Sequence, residues 1–220
     1  MKPLRIAFAA AVLGLTIAAM PVIAAAGAAN WHVYNLAASG QSLTSPVAQG
    51  RGSDLATFDF LNTPTTSYLL TTQGSQKGSI LGDIRNQTVT ATFSIDKSAG
   101  ATFFYDTTDN PCGTPPSVRL FFQTSNAGGF DETHYWWSNP VAMQLDAVAG
   151  TASISNPVNG ALWSDYFGHF GTGAYSDGFD AAAANATAIG LSYGGGCFFA
   201  NGVGVQNGSA TFHLTSFSVS

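Results

Sequence analysis

Residues 117–141 read SVRLFFQTSNAGGFDETHYWWSNPV, two strand-like runs on either side of a Gly-Gly turn at 126–129. In an extended strand, successive side chains point to opposite faces. The first run therefore sends Val118, Leu120 and Phe122 one way and Arg119, Phe121 and Gln123 the other. The second run, taken to include His134, carries Tyr135, Trp136 and Trp137 in succession, so its two tryptophans must part company. One is expected in a core, the other on the outer face of the sheet, where it is exposed or lines a groove. The outward set mixes an aromatic ring with two fork-shaped hydrogen-bonding groups, as sugar-binding faces often do: a ring stacks on the C–H face of a pyranose while polar neighbours hold its hydroxyls.

Around this hairpin the chain alternates at period two. TVTATFSI at 88–95 is the clearest case, with Val89, Ala91, Phe93 and Ile95 on one face and Thr90, Thr92 and Ser94 on the other. Further strands are expected at 31–36, 55–61, 68–72, 80–85, 101–105, 142–148, 151–154, 188–193, 198–205 and 209–219. Residues 37–52 and the three-proline loop at 106–116 read as irregular, and 73–78 as turn-rich. LWSDYF at 162–167 suggests a short helical turn. DGFDAAAANA at 177–186 reads as the one convincing helix, capped by Asp177 or Ser176. The glycines at 194–196 let the backbone turn or let another segment come close. Many short strands with Gly- and Pro-rich turns and almost no helix define an all-β protein, an antiparallel β-sandwich, with a jelly roll the first choice. Neither a linker nor an internal repeat divides the chain, so one domain over 30–220 is expected.

Residues 1–29 have the form of a signal peptide: a basic start with Lys2 and Arg5, an apolar run at 6–23, and a small-residue end at 24–29. Alanine richness and Pro21 favour cleavage over a retained anchor, which places the protein outside the cytoplasm, secreted, periplasmic or on the cell surface. Of seven basic residues, removing those two leaves five against twelve acidic, a net charge of −7. An acidic chain without a basic patch argues against nucleic acid and anionic lipid as partners. No second apolar run is long enough to span a membrane. Two cysteines in an oxidising compartment, Cys112 and Cys197, are most simply one disulfide.

The ligand-binding candidates are Arg119, Gln123, His134, Tyr135, Trp136, Trp137, Trp163, Asp165 and His169, with Tyr166, Phe167 and Asn139 as further contributors. Asp131, Glu132 and His134 lie close together but form no metal signature, and a solvated loop end is the plainer reading. A structural calcium ion held by loop carbonyls stays open, and no other cofactor is expected. Catalysis finds little support: Glu132 is the only glutamate, so paired-carboxylate chemistry would rest on aspartates in no recognised spacing. Ser94 and Lys97 fit an S-x-x-K pattern, but a strand sends them to opposite faces. A lyase built from Arg119, Gln123, His134 and Tyr135 is the enzymatic alternative. The acceptor triplets at Asn86, Asn185 and Asn207 read as incidental.

The segments LGD at 81–83, TVTATFSI, CGTPPSVRLFFQT, YWWSNPV, LWSDYFGHFG and IGLSYGGGCFFANGVG resemble a family of exported bacterial β-sandwich proteins that carries no activity to transfer. More distantly, the strand order and the small helix before GLSYGGG look like laminin IV-type domains and galactose-binding-like jelly rolls. The resemblance implies a sandwich that binds glycans or another cell-envelope component. Self-association in a structural or adhesive role is the alternative.

Overall fold

A computed structural model describes residues 24–25, 31–37, 42–46, 48–49, 53–62, 64–73, 80–105 and 112–220. Its strands are β1 Ala24–Ala25, β2 Trp31–Leu36, β3 Ser42–Pro46, β4 Ala48–Gln49, β5 Ala56–Asp59, β6 Thr66–Gln73, β7 Thr88–Lys97, β8 Thr102–Phe104, β9 Ser117–Gln123, β10 Tyr135–Ser138, β11 Met143–Gln144, β12 Thr151–Pro157, β13 Trp163–Ser164, β14 Ala188–Gly194, β15 Gly204–Gln206 and β16 Ala210–Val219. Between β13 and β14 lies one α-helix, α1 Ser176–Ala184.

Two antiparallel sheets face each other. The first has the order β12-β7-β16-β5-β4, with β1 also on β16. The second runs β13-β10-β9-β14-β6-β2-β3, with β11 on β9. β7 shows why its sequence makes a sandwich strand. Val89, Ala91 and Phe93 are wholly buried, while outward hydroxyls pair with β12, as Thr90 Oγ1 does with Ser155 Oγ at 2.8 Å. The sheets interlock through aromatic edges: Trp31 meets Phe217 at 5.2 Å, and Tyr193 meets Phe212 at 5.5 Å and Phe58 at 5.6 Å. One hydrophobic cluster joins both inner faces. α1 closes one end, burying Phe179, Ala182 and Ala183, with the Trp136 and Phe179 ring centroids 5.0 Å apart and their planes nearly perpendicular. The antiparallel sandwich and the Cys112–Cys197 disulfide are both present.

Several local readings change. The stretch 37–52, expected to be irregular, contributes β3 and β4. These are edge strands, which need no apolar face and so leave little alternation to read. The expected strand at 80–85 reduces to a bridge between Gly82 and Ala186. That at 142–148 shortens to β11 before a 3-10 turn, Leu145–Ala147. At 198–205 only β15 forms, and the rest is loop. Neither Asp177 nor Ser176 caps α1, because a 3-10 turn, Gly173–Tyr175, runs straight into it and Ser176 Oγ donates back to the Gly173 carbonyl. The expected signal segment, apart from β1, lies outside the described residues, as do 74–79 and 106–111. β1 pairs with Val219 and Ser218 of β16. Among the described residues no helix is long and apolar enough to cross a membrane.

Candidate functional site

The hairpin alternation holds where it matters most. β9 and β10 pair as Tyr135 with Gln123, Trp136 with Phe122 and Trp137 with Phe121. Val118, Leu120, Phe122 and Trp136 enter the core, where the Trp136 indole donates to the Thr133 carbonyl at 2.6 Å. Trp137 and Phe121 lie on the other face with rings 5.1 Å apart.

Of the two places expected for the outer indole, Trp137 takes the groove and not open solvent. Trp137 is only 5% exposed, and Trp136 and Trp163 are sealed completely. Trp163 is core, edge-on to Phe122 at 4.9 Å and donating to the Pro157 carbonyl. Trp137 is covered by two loops from distant sequence, 165–170 and 195–201, which lie over the outer face of the second sheet. Between them a groove of about 190 Å³ remains, with Trp137 at its floor, 165–168 on one side and 197–200 on the other.

Tyr166 is the hub of this region. Its ring lies 5.0 Å from Phe130, 5.2 Å from Phe198, 5.4 Å from Phe167 and 6.2 Å from Trp137. Phe167 is 63% exposed, Phe130 58% and Phe198 38%, so this cluster holds three of the four large exposed hydrophobics among the described residues. Tyr135 stacks beside Phe130 at 5.8 Å, and its phenol is raised by burial and by neighbouring Tyr166.

The polar candidates are engaged internally. Arg119 is buried, its Nη1 donating to the carbonyls of Ser138 at 2.7 Å and Val141 at 3.5 Å. Its guanidinium lies 3.9 Å over the Phe199 ring. No described carboxylate pairs with it, and burial lowers it to about 10. The fork that sequence offered to a ligand instead fastens β9 to the 138–141 turn and to the 195–201 loop. The Asp165 carboxylate, wholly buried, accepts from the backbone N–H groups of Phe167 (2.9 Å) and His169 (2.8 Å) and from His169 Nδ1 (3.1 Å). It builds the 165–169 turn, and the His169 ring stacks on Tyr175 at 4.2 Å.

His134 is not in the strand. It closes a 3-10 turn, Glu132–His134, which Asp131 caps through Thr133, and its Nδ1 donates to Asn126 Oδ1. Glu132 and His134 therefore lie on a turn, outside any strand. The bonds from Thr133 hold the Asp131 carboxyl below its ordinary value. Gln123 is half-buried on the outer face opposite Tyr135, and Asn139 donates to Ser164 Oγ. Among the described residues no group of three or more His, Cys, Asp or Glu is placed to hold a metal ion.

Sequence reasoning missed Phe130, Phe198 and Phe199. A signal existed: each follows closely on a glycine run, where loop geometry lets an aromatic escape strand alternation. It also missed Ser192, whose hydroxyl accepts from Trp137 Nε1 at 2.9 Å and donates to the Phe199 carbonyl at 2.8 Å.

Fold and site together define a disulfide-linked antiparallel β-sandwich with an aromatic groove on one outer sheet face. No protein-family model matches the chain, and none of the curated proteins or solved structures compared is significantly similar to it. The functional reading therefore stands on the site itself.

Proposed function

We propose that the protein is an exported, non-catalytic binding module that holds one uncharged ring of a carbohydrate or other cell-envelope ligand in the groove over Trp137. The observation that carries this reading is the groove's wall and rim of solvent-facing rings, Phe167 and Phe198 beside Tyr166. Aromatic rings exposed singly are ordinary, but a contiguous group of them marks a contact surface. Its volume falls below the roughly 300–1,000 Å³ of sites for larger ligands, which suits a single ring. Asp165 is the one charged residue on the groove wall among the described residues, and its carboxylate is taken up by the loop it organises. An ionic ligand group would therefore lose water without gaining a partner.

Migration through gels containing neutral polysaccharides tests this. Retardation by at least one of them is expected, lost in Phe167→Ala with the fold intact, and acidic polysaccharides are expected to give none. Unchanged retardation of the variant contradicts the reading.

The exposed phenylalanines support a second reading, contact with a protein surface or another copy of the chain. It is favoured if sedimentation shows concentration-dependent association sensitive to Phe167→Ala and no polysaccharide retards the protein.

A further inference from the structure

We propose that the Cys112–Cys197 disulfide is the clamp that assembles the aromatic groove, so that the binding site exists in the oxidised chain and comes apart in the dithiol form. The inference rests on the reading of that groove as the ligand site.

Cys197 itself lines the groove, immediately before Phe198 and Phe199. The loop leaves β14 at Gly194 and doubles back on it so closely that a Cβ on Gly194 would lie 2.6 Å from the Phe199 carbonyl carbon and oxygen. Its inner side is wired to the groove floor: Trp137 Nε1–H donates to Ser192 Oγ, whose hydroxyl donates to the Phe199 carbonyl. Arg119 supports the same Phe199 ring from below. On its outer side the loop is tied to residues 112–116 by the disulfide, across a Cα separation of 5.0 Å, and by Gly196 N–H donating to the Thr114 carbonyl at 2.7 Å. Residues 112–114 are exposed, so the covalent bond supplies what packing there does not. Once it is cut, the inner side keeps its Phe199 contacts and the Gly195–Asn201 pair, while the outer side is left with the backbone bond to Thr114 against the freedom it regains.

A dithiol such as dithiothreitol gives two electrons and two protons, the S–S bond breaks into the thiols of Cys112 and Cys197, and the reductant becomes its cyclic disulfide. In the reverse direction, a disulfide-bearing oxidant outside the cytoplasm completes the site after export. The binding surface would then be withheld until the chain reaches an oxidising compartment.

The test follows the four tryptophan indole N–H resonances in a ¹⁵N-labelled chain, oxidised, treated with dithiothreitol, and as the Cys112→Ser/Cys197→Ser double variant. In both dithiol-like states the Trp137 resonance is expected to shift and to exchange with solvent at least about tenfold faster. Those of Trp136 and Trp163, which donate to the Thr133 and Pro157 carbonyls, should stay in place. Gly194→Ala, with the disulfide intact, pushes Phe199 off the strand end and should displace the Trp137 resonance in the same way. An unmoved Trp137 resonance overturns the proposal. So does a simultaneous collapse of all four, which would make the bond a support of the whole fold. A neutral polysaccharide that retards the oxidised chain and releases the reduced one extends support to binding. If none retards either form, the binding reading fails, and the indole resonances still decide the clamp.

Discussion

Arg119→Lys separates an internal role for this arginine from a ligand-binding one. The guanidinium donates to the Ser138 and Val141 carbonyls and covers the Phe199 ring. A hydrogen bond from a charged group contributes about 1.5–3 kcal/mol, and a partly desolvated cation–π contact about 0.5–2 kcal/mol. Lysine keeps the charge but loses the planar fork, so it recovers one contact at most, and a net loss of roughly 1–3 kcal/mol is expected. In urea denaturation this appears as a lower midpoint with an unchanged slope. In thermal unfolding it lowers Tm by about 2–4 °C for each kcal/mol in a chain of this size. A variant as stable as the wild type within about 0.5 kcal/mol, a difference usual for surface substitutions, would refute the internal role and return Arg119 to the list of ligand contacts.

Tyr193→Phe should stabilise the fold. The Tyr193 hydroxyl, buried among Phe58, Phe60 and Phe212, has no hydrogen-bond partner among the described residues, and such a group costs about 1–3 kcal/mol. Removing it leaves a void smaller than the roughly 30 Å³ share of a water molecule, worth under about 0.7 kcal/mol at about 24 cal/mol per Å³. A gain of roughly 0.5–2 kcal/mol in denaturant unfolding is therefore expected, and a clear loss would show that the hydroxyl is satisfied. Asp83→Asn tests an exposed pair. Arg85 holds the Asp83 carboxyl at about 2, below its ordinary 3.8. Because the folded value is depressed, its contribution is present above about 4 and lost as pH falls towards 2. The stability difference between wild type and variant should shrink over that window; a difference constant from pH 5 to 2 would contradict the pairing.

The fold was legible wherever chemistry is local to a strand. The alternation at 88–95 and 117–123 named the buried residues Val89, Phe93, Leu120 and Phe122, and put Trp136 and Trp137 on opposite faces. The covering of Trp137 was not legible, because it comes from 165–170 and 195–201, brought there by topology and a disulfide spanning 85 residues. The employment of Arg119 and Asp165 was hidden for a related reason. Both bond mainly to backbone groups, and sequence does not reveal where those groups will lie. Phe198 and Phe199 were assigned to a strand because the apolar run continues past the glycines, yet the loop exposes one ring and lays the other against Arg119.

The most direct test of the groove as a binding site is titration of the ¹⁵N-labelled oxidised chain with a neutral oligosaccharide derived from whichever polysaccharide retards it. The Trp137 indole resonance is expected to shift in a saturable way while the core-sealed Trp163 resonance does not, and the shift is expected to vanish in Phe167→Ala. Saturable binding that leaves Trp137 untouched, or that persists in Phe167→Ala, would place the ligand elsewhere and contradict the groove as its site.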